Sequence, residues 1–151
     1  MTLLREILLL IPAGRLVVTA QPIRQGHPLP QILDKMCRLR GLPSAVNATE
    51  GHRAVERAAA RLGRFGLINT CLIRSLALAA LLADQQSVQL HLGFRPSDSP
   101  MAILAGHAWV TLGDRAVPDN RATLVEGRPC EDVAVLAATR AKTHRGNQET
   151  L

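Results

Sequence analysis

A nearly uninterrupted apolar run is the strongest element of the chain. Within residues 72–82 only Arg74 and Ser75 are polar, and apolarity on all sides over this length predicts a helix that its neighbours bury. Thr70 is a good N-cap residue, so Cys71 is expected in the first turn of this helix. The unpaired N–H groups and the positive end of the helix dipole favour a thiolate there, which makes Cys71 a candidate nucleophile.

Shorter helical patterns come before this run. Residues 3–11 predict a short helix closed by Pro12, and residues 16–20 form a second apolar segment whose state the pattern does not decide. Three apolar residues on one face predict a helix over residues 30–40. Asn47 and Glu50 have capping-box spacing and predict another helix that ends at Gly63.

Beyond residue 82 the period changes to the alternation of β-strands. Residues 88–94, 101–112 and 115–118 predict three strands, with a turn at Gly113 and Asp114 between the last two. Residues 131–138 predict a last helix, and residues 141–151 a flexible polar tail. Helices followed by an antiparallel meander predict an α+β domain without internal repeats.

Composition narrows the class of protein. The 151 residues carry a formal net charge of +6, but the basic residues are scattered singly and aromatic residues make up 2% of the chain. A solvated basic surface is therefore expected rather than a nucleic-acid site, which needs stacking platforms. Cys37, Cys71 and Cys130 have wide spacings without a CxxC pair, as in a cytoplasmic chain with reduced thiols. The apolar run 7–14 is too short for a transmembrane segment, which takes about 20 residues.

The residues offer each member of a nucleophilic triad. A catalytic cysteine needs an imidazole to move its proton and a third group to orient the ring. His107 lies in the second predicted strand and shares a face with Ile103, Ala105 and Trp109, so we expect it to point towards apolar neighbours beside the buried helix. Asp119 or Asn120, on the returning strand, is the candidate third group.

The hairpin leaves the third member open. A two-residue loop at Gly113 and Asp114 pairs His107 with Asn120 and sends Asp119 to the other face. A three-residue loop, or a bulge near Pro118, instead brings Asp119 diagonal to His107 on the same face. Because proline cannot donate to a ladder, a bulge at Pro118 is physically reasonable.

The motifs resemble one known family. Cys-Leu-x-Arg-Ser-Leu-Ala-Leu from Cys71, Gly-His-Ala-Trp-Val around His107, and then Asp119 are similar to the lasso-peptide leader peptidases, which are transglutaminase-like maturation proteins. The resemblance covers residues 62–120. It implies a papain-like fold, a Cys71-His107-Asp119 triad, and a domain plan of an N-terminal helical region over residues 1–48, a peptidase core over 49–140 and the tail over 141–151.

The resemblance also implies a division of labour. The expected activity is removal of the leader from a ribosomally made precursor peptide, with no cofactor. The expected partners are the precursor leader, a separate small leader-recognition protein, and an ATP-dependent lasso cyclase that uses the freed amine; no nucleic acid and no transmembrane segment are expected. The alternatives are an acyl or amide transferase that uses the same triad, and a non-catalytic peptide-binding module.

Other polar residues receive supporting or structural roles. The Cys71 N–H is a natural oxyanion donor, with Asn69 as a candidate second donor and Trp109 as a wall against water. Arg74 is expected either to reach solvent or to hold a structural carboxylate. His91 is expected at the surface without a partner. A metal site is disfavoured because the chain has no close-spaced ligand pairs such as CxxC or HExxH.

Overall fold

Helices precede an antiparallel sheet in the computed structural model, which describes residues 2–96, 104–117, 124–125, 128–129 and 131–140. The helices are α1 Thr2–Ala20, α2 Leu29–Cys37, α3 Ala48–Gly63 and α4 Cys71–Leu81, with a 3₁₀-helix at Gln21–Gln25 after α1. The strands are β1 Val88–Pro96, β2 Leu104–Leu112, β3 Arg115–Val117, β4 Leu124–Val125, β5 Arg128–Pro129 and β6 Glu131–Ala137. Four strands form one sheet in the order β3-β2-β1-β6, and β4 pairs with β5. The predicted α+β class is confirmed.

Side-chain caps set the start of the two central helices. Asn47 Oδ1 accepts hydrogen bonds from the N–H groups of Thr49 at 2.9 Å and Glu50 at 3.2 Å. Thr70 Oγ1 accepts from the N–H of Ile73 at 3.3 Å. Both caps satisfy N–H groups that have no carbonyl partner within the helix, and both confirm the predicted helix starts.

The core surrounds α4. Every residue from Leu76 to Leu81 is buried, and α4 contacts α1, α2 and α3 on one side and β1 and β2 on the other. The small side chains of Ala77, Ala79 and Ala80 let these neighbours approach closely. The apolar run is therefore the central helix that its pattern predicts.

α1 is one helix that continues through Pro12, whereas the sequence predicts a break there. A proline inside a helix leaves the carbonyl four residues earlier, at Leu8, without its N–H partner. Leu8 is 62% exposed, so that water can reach this side of the helix, while Leu9 and Leu16 pack into the core on either side of the proline. Tertiary packing thus outweighs the local preference. Within the described residues, no helix combines the length and apolarity needed to cross a membrane.

Residues 131–137 form the edge strand β6, and the prediction of a helix there is wrong. β6 pairs antiparallel with β1 from Gln89 opposite Ala137 to Phe94 opposite Glu131, with a bulge at Leu92 and Gly93. The β-branched Val133 and Val135 suit a strand, and the ladder satisfies backbone groups that would otherwise need a helix. The sequence alone did not reveal that β1 has a free edge.

The hairpin between β2 and β3 has a two-residue loop. Leu112 lies opposite Arg115, and Val110 lies opposite Val117. Gly113 takes a φ of 61°, which suits glycine at the first central position of a type II′ turn. The three-residue loop is therefore excluded, whereas the predicted bulge at Pro118 lies outside the described residues.

Candidate active site

Cys71 is the first residue of α4 and is half-buried. The Thr70 cap uses the N–H of Ile73, so the earlier N–H groups of Cys71 and Leu72 have no carbonyl partner within the helix. They lie at the positive end of the helix dipole. A candidate nucleophile and a candidate N–H donor for an oxyanion thus coincide within one helical turn.

A hydrogen bond joins the start of α4 to β2. Ser75 Oγ donates to the carbonyl of Ala108 at 3.0 Å, and Ala108 follows His107 directly. Cys71 and Ser75 are four residues apart and so lie on the same face of α4. The face that carries the thiol is therefore held against the strand that carries His107.

The ladder pattern shows which edge of β2 this bond reaches. Gly113 N–H donates to Ser87 O at 2.9 Å. In an antiparallel ladder every second residue faces the same neighbouring strand, so the backbone N–H and C=O groups of His107, six residues before Gly113, also face β1. Backbone groups of Ala108 and Val110 then point towards the β3 side. Val110 opposite Val117 is the last described pair of that ladder, and Ser75 binds Ala108 just beyond it. The first turns of α4 thus reach the β3-side edge of β2.

Three rings stack on the outer face of the sheet. The centroids of His107 and Trp109 are 5.6 Å apart with an interplanar angle of 22°, and those of His91 and Trp109 are 5.3 Å apart at 10°. His91 Nε2 lies 2.7 Å from Thr111 Oγ1. The prediction that His91 has no partner is therefore wrong: His91 contacts Thr111 and stacks on Trp109, and Trp109 stacks on the ring of His107.

The face that His107 shares with Trp109 differs from the expected one. Ala108 is 5% exposed and Val110 is 1% exposed, and Val110 packs into the core, whereas His107 and Trp109 are half-buried on the opposite face. The core therefore packs on the other face of β2, and His107 and Trp109 lie on the face opposite to the one expected beside the buried helix. Among the described residues, no hydrogen bond joins the His107 ring to the Cys71 thiol.

Asp119 and Asn120, the candidates for orienting His107, lie outside the described residues, as does Cys130. The two-residue loop sets the register up to Val117. An unbroken continuation of that register would pair His107 with Asn120, and a bulge at Pro118 would favour Asp119. Both candidates stay predictions.

Asn69, two residues before Cys71, is held through Arg74 by a carboxylate of α3. Arg74 Nη1 donates to Asn69 Oδ1 at 2.7 Å, and Arg74 Nε lies 3.0 Å from Glu56 Oε1 on α3. Arg74 therefore holds a carboxylate, which is one of its two predicted roles. Because Arg74 takes the amide oxygen of Asn69, the amide NH₂ is the end left for an oxyanion. His52, half-buried near Glu56, has its pKa lowered mainly by burial.

Comparison with protein families decides the superfamily. A model described as the transglutaminase-like superfamily matches residues 8–129, which is most of the chain. The chain belongs to the transglutaminase-like superfamily. Comparison with curated proteins and with solved structures gives no significant match.

Membership of the transglutaminase-like superfamily agrees with the geometry. The helices and the antiparallel four-stranded sheet are consistent with an α+β, papain-like fold. The superfamily includes cysteine proteases and transferases. The matched range begins within α1, at residue 8. No three His, Cys, Asp or Glu side chains of the described ranges are grouped to hold a metal ion.

Cys37 is not suited to be the nucleophile of this transglutaminase-like domain. It is 2% exposed at the end of α2, and burial raises its pKa to about 11. A thiol that stays protonated and covered is a poor nucleophile. Of the two described cysteines, Cys71 alone has the exposure and helix position that catalysis needs.

Proposed function

We propose that the chain is a cysteine peptidase that removes the leader from a ribosomally made lasso precursor peptide. The observation that supports it most is the position of Cys71 at the head of α4, one turn before Ser75, which donates to the carbonyl of Ala108, the residue that follows His107. A transglutaminase-like fold with this arrangement suits acyl transfer to a thiol. The leader-peptidase subtype is proposed because the sequence motifs around Cys71 and His107 resemble those of the lasso-peptide leader peptidases.

The reaction has two acyl-transfer steps. The Cys71 thiolate attacks the scissile carbonyl, and the tetrahedral oxyanion is stabilised by the Cys71 N–H. Collapse breaks the C–N bond, His107 protonates the departing amine, and the leader stays on sulfur as a thioester. Water then loses a proton to His107 and attacks the thioester, which releases the leader carboxylate and restores the thiol.

Three residues are assigned to support the pair. Asp119 accepts a hydrogen bond from the His107 ring and sets its tautomer, with Asn120 as the alternative. Trp109 fixes the ring plane of His107 through the stack. Asn69, oriented by Arg74, supplies the second oxyanion donor.

The proposed peptidase works with two other proteins in the cytoplasm. A separate small leader-recognition protein presents the precursor. Cleavage frees an α-amine that an ATP-dependent cyclase joins to an acidic side chain.

The test incubates the chain with a candidate precursor and recognition protein and follows the peptides by mass spectrometry. A leader fragment and a core peptide are expected. Cys71→Ala should abolish both, while Cys37→Ala should keep cleavage because its thiol is buried. Unchanged cleavage by Cys71→Ala would refute the proposal.

Further variants identify the group that orients His107. If Asp119 has this role, Asp119→Asn should lower kcat by at least about 100-fold with little effect on KM, and Asn120→Ala should have a small effect. The reverse ranking would assign the role to Asn120 and an unbroken hairpin register. Addition of an amine separates hydrolysis from transfer, since a transferase would give an amide-linked leader instead of the free carboxylate.

A further inference from the structure

The outward face of α1 is apolar along most of its length. Its members recur with the spacing of one helix face, and each is at least half exposed: Leu4 65%, Ile7 52%, Leu8 62%, Ile11 71% and Val18 50%. The inward face, with Ala13, Leu16 and Val17, is fully buried. The core of the protein buries only the inward face of α1, so the exposed apolar residues of the outward face are a candidate interface.

A groove continues this outward face between α1 and α3. Its volume is about 490 Å³, and its apolar lining includes Ile11 and Val18 of α1 and Ala58 and Leu62 of α3. The backbone of α1 at Gly14 forms part of the lining, and a Cβ at this position would meet only Leu62 Cδ1, at 4.0 Å, so the space beside Gly14 is open. A concave apolar channel beside a helix accepts the ridge of side chains of another helix.

The charge around the groove has one sign. Arg15 and Arg61 are the charged residues of its lining. Arg15 uses one guanidinium nitrogen on the carbonyl of Arg40, a neutral group, and so keeps its charge uncompensated by that bond. The acid of α1, Glu6, points away from the groove: it is 8% exposed and pairs with Arg57 at 2.6 Å and Arg53 at 3.6 Å.

We propose that this groove docks an amphipathic helix of a second protein, apolar on its inner face and acidic along its flanks. The apolar face would fill the groove, and the acidic flanks would meet Arg15 and Arg61. A second copy of this chain is a poorer match, because its outward face would bring the same cations. A membrane is flat and leaves a groove unfilled. The inference goes beyond the proposed peptidase activity and does not depend on Cys71.

Fluorescence anisotropy with two labelled synthetic helical peptides tests this site. Both peptides carry the same leucine stripe, flanked by glutamate in one and by lysine in the other. The wild-type chain should bind the glutamate peptide saturably and at least about tenfold more tightly than the lysine peptide. Ile11→Gln and Val18→Gln should each weaken binding about tenfold, since each removes buried apolar contact.

Charge reversal and a matched control complete the design. The double variant Arg15→Glu/Arg61→Glu should reverse the preference between the two peptides, which a general loss of folding cannot do. Val135→Gln replaces an exposed apolar residue of β6, 44% exposed and outside the groove, and should leave both affinities unchanged.

Several outcomes would overturn the proposal. They are equal binding of the two peptides, no saturable binding, or equal losses in Val135→Gln and Ile11→Gln. Binding of the chain to anionic phosphatidylglycerol vesicles, without peptide binding and abolished by Ile11→Gln, would assign the face to a membrane. A dimer in sedimentation analysis that Ile11→Gln dissociates would assign it to a second copy. Each variant is compared by circular dichroism with the wild type.

Discussion

The two described cysteines are expected to react very differently with iodoacetamide. Cys37 is 2% exposed, and burial raises its pKa from the ordinary 9.0 to about 11, although Arg140 acts in the opposite direction. Cys71 is half-buried at the head of α4. Alkylation proceeds through the thiolate and needs access to the sulfur, so the native protein should react at Cys71 and not at Cys37.

The pKa of Cys37 sets the size of the effect. At pH 8 a thiol with a pKa of 9.0 is about 9% thiolate, and one with a pKa of about 11 is about 0.1% thiolate. Unfolding should therefore raise the alkylation rate of Cys37 about 90-fold. Steric cover of the buried sulfur slows the native reaction further, so this ratio is a lower bound.

The assay uses a Cys130→Ser background, in which Cys37 and Cys71 are the remaining thiols. Native protein and protein in concentrated urea are treated with iodoacetamide at pH 8, and labelled peptides are counted by mass spectrometry over time. Cys71→Ala in the same background should leave almost no native labelling. Correct folding of each variant is checked by circular dichroism.

Two results would refute this reasoning. A native rate at Cys37 within about tenfold of its rate in urea would show that burial does not suppress its thiolate. Native labelling that persists in Cys71→Ala would show that Cys71 is not the accessible thiol, and it would remove the best support for its catalytic role.

The remaining predictions concern the helix cap, the ring stack and alkaline pH. Thr70→Ala should lower the free energy of unfolding in urea by about 1 kcal/mol through loss of the cap, and Thr70→Ser should restore it; equal stability of all three proteins contradicts the cap. In the peptidase assay Trp109→Leu should lower kcat more than it raises KM, because the ring of His107 loses its stacking partner, and Trp109→Phe should have an intermediate effect. An effect on KM alone contradicts the role of Trp109 in fixing the ring of His107. Between pH 9 and pH 11 folded Cys37 keeps a proton that the unfolded chain releases, so the free energy of unfolding should have its full value below pH 9 and fall by up to about 2.7 kcal/mol towards pH 11. Urea unfolding of Cys37→Ala should lack this dependence on pH, and an unchanged dependence counts against the raised pKa.

Local chemistry explains which elements were predictable. Thr70 and Asn47 are strong N-cap residues, and the run after Cys71 is apolar on all sides, which is typical of a buried helix. Residues close together in the sequence were therefore enough to predict α3 and α4. β1 and β2 follow from alternation in the same way. α1 and β6 did not, because the continuation through Pro12 and the pairing of residues 131–137 depend on partners far along the chain.

The candidate site also has features that the sequence predicts and features that depend on the tertiary structure. The types and order of Cys71, His107 and Asp119 are a property of the sequence, and they carry both the triad hypothesis and the resemblance to the leader peptidases. The contacts within the site cannot be predicted from the sequence in the same way. The stack of His91, Trp109 and His107 depends on the register between β1 and β2, and the hydrogen bond from Ser75 to Ala108 depends on the packing of α4 against β2.

By itself the sequence determined the chemistry that the chain carries and the helix that presents its thiol, because caps and periodicity act over a few residues. Only the tertiary structure decided which face of β2 carries His107, which carboxylate holds Arg74, and which face of α1 is left outward. Those outcomes depend on how segments distant in sequence pack together, and packing of that kind is decided by the whole core at once.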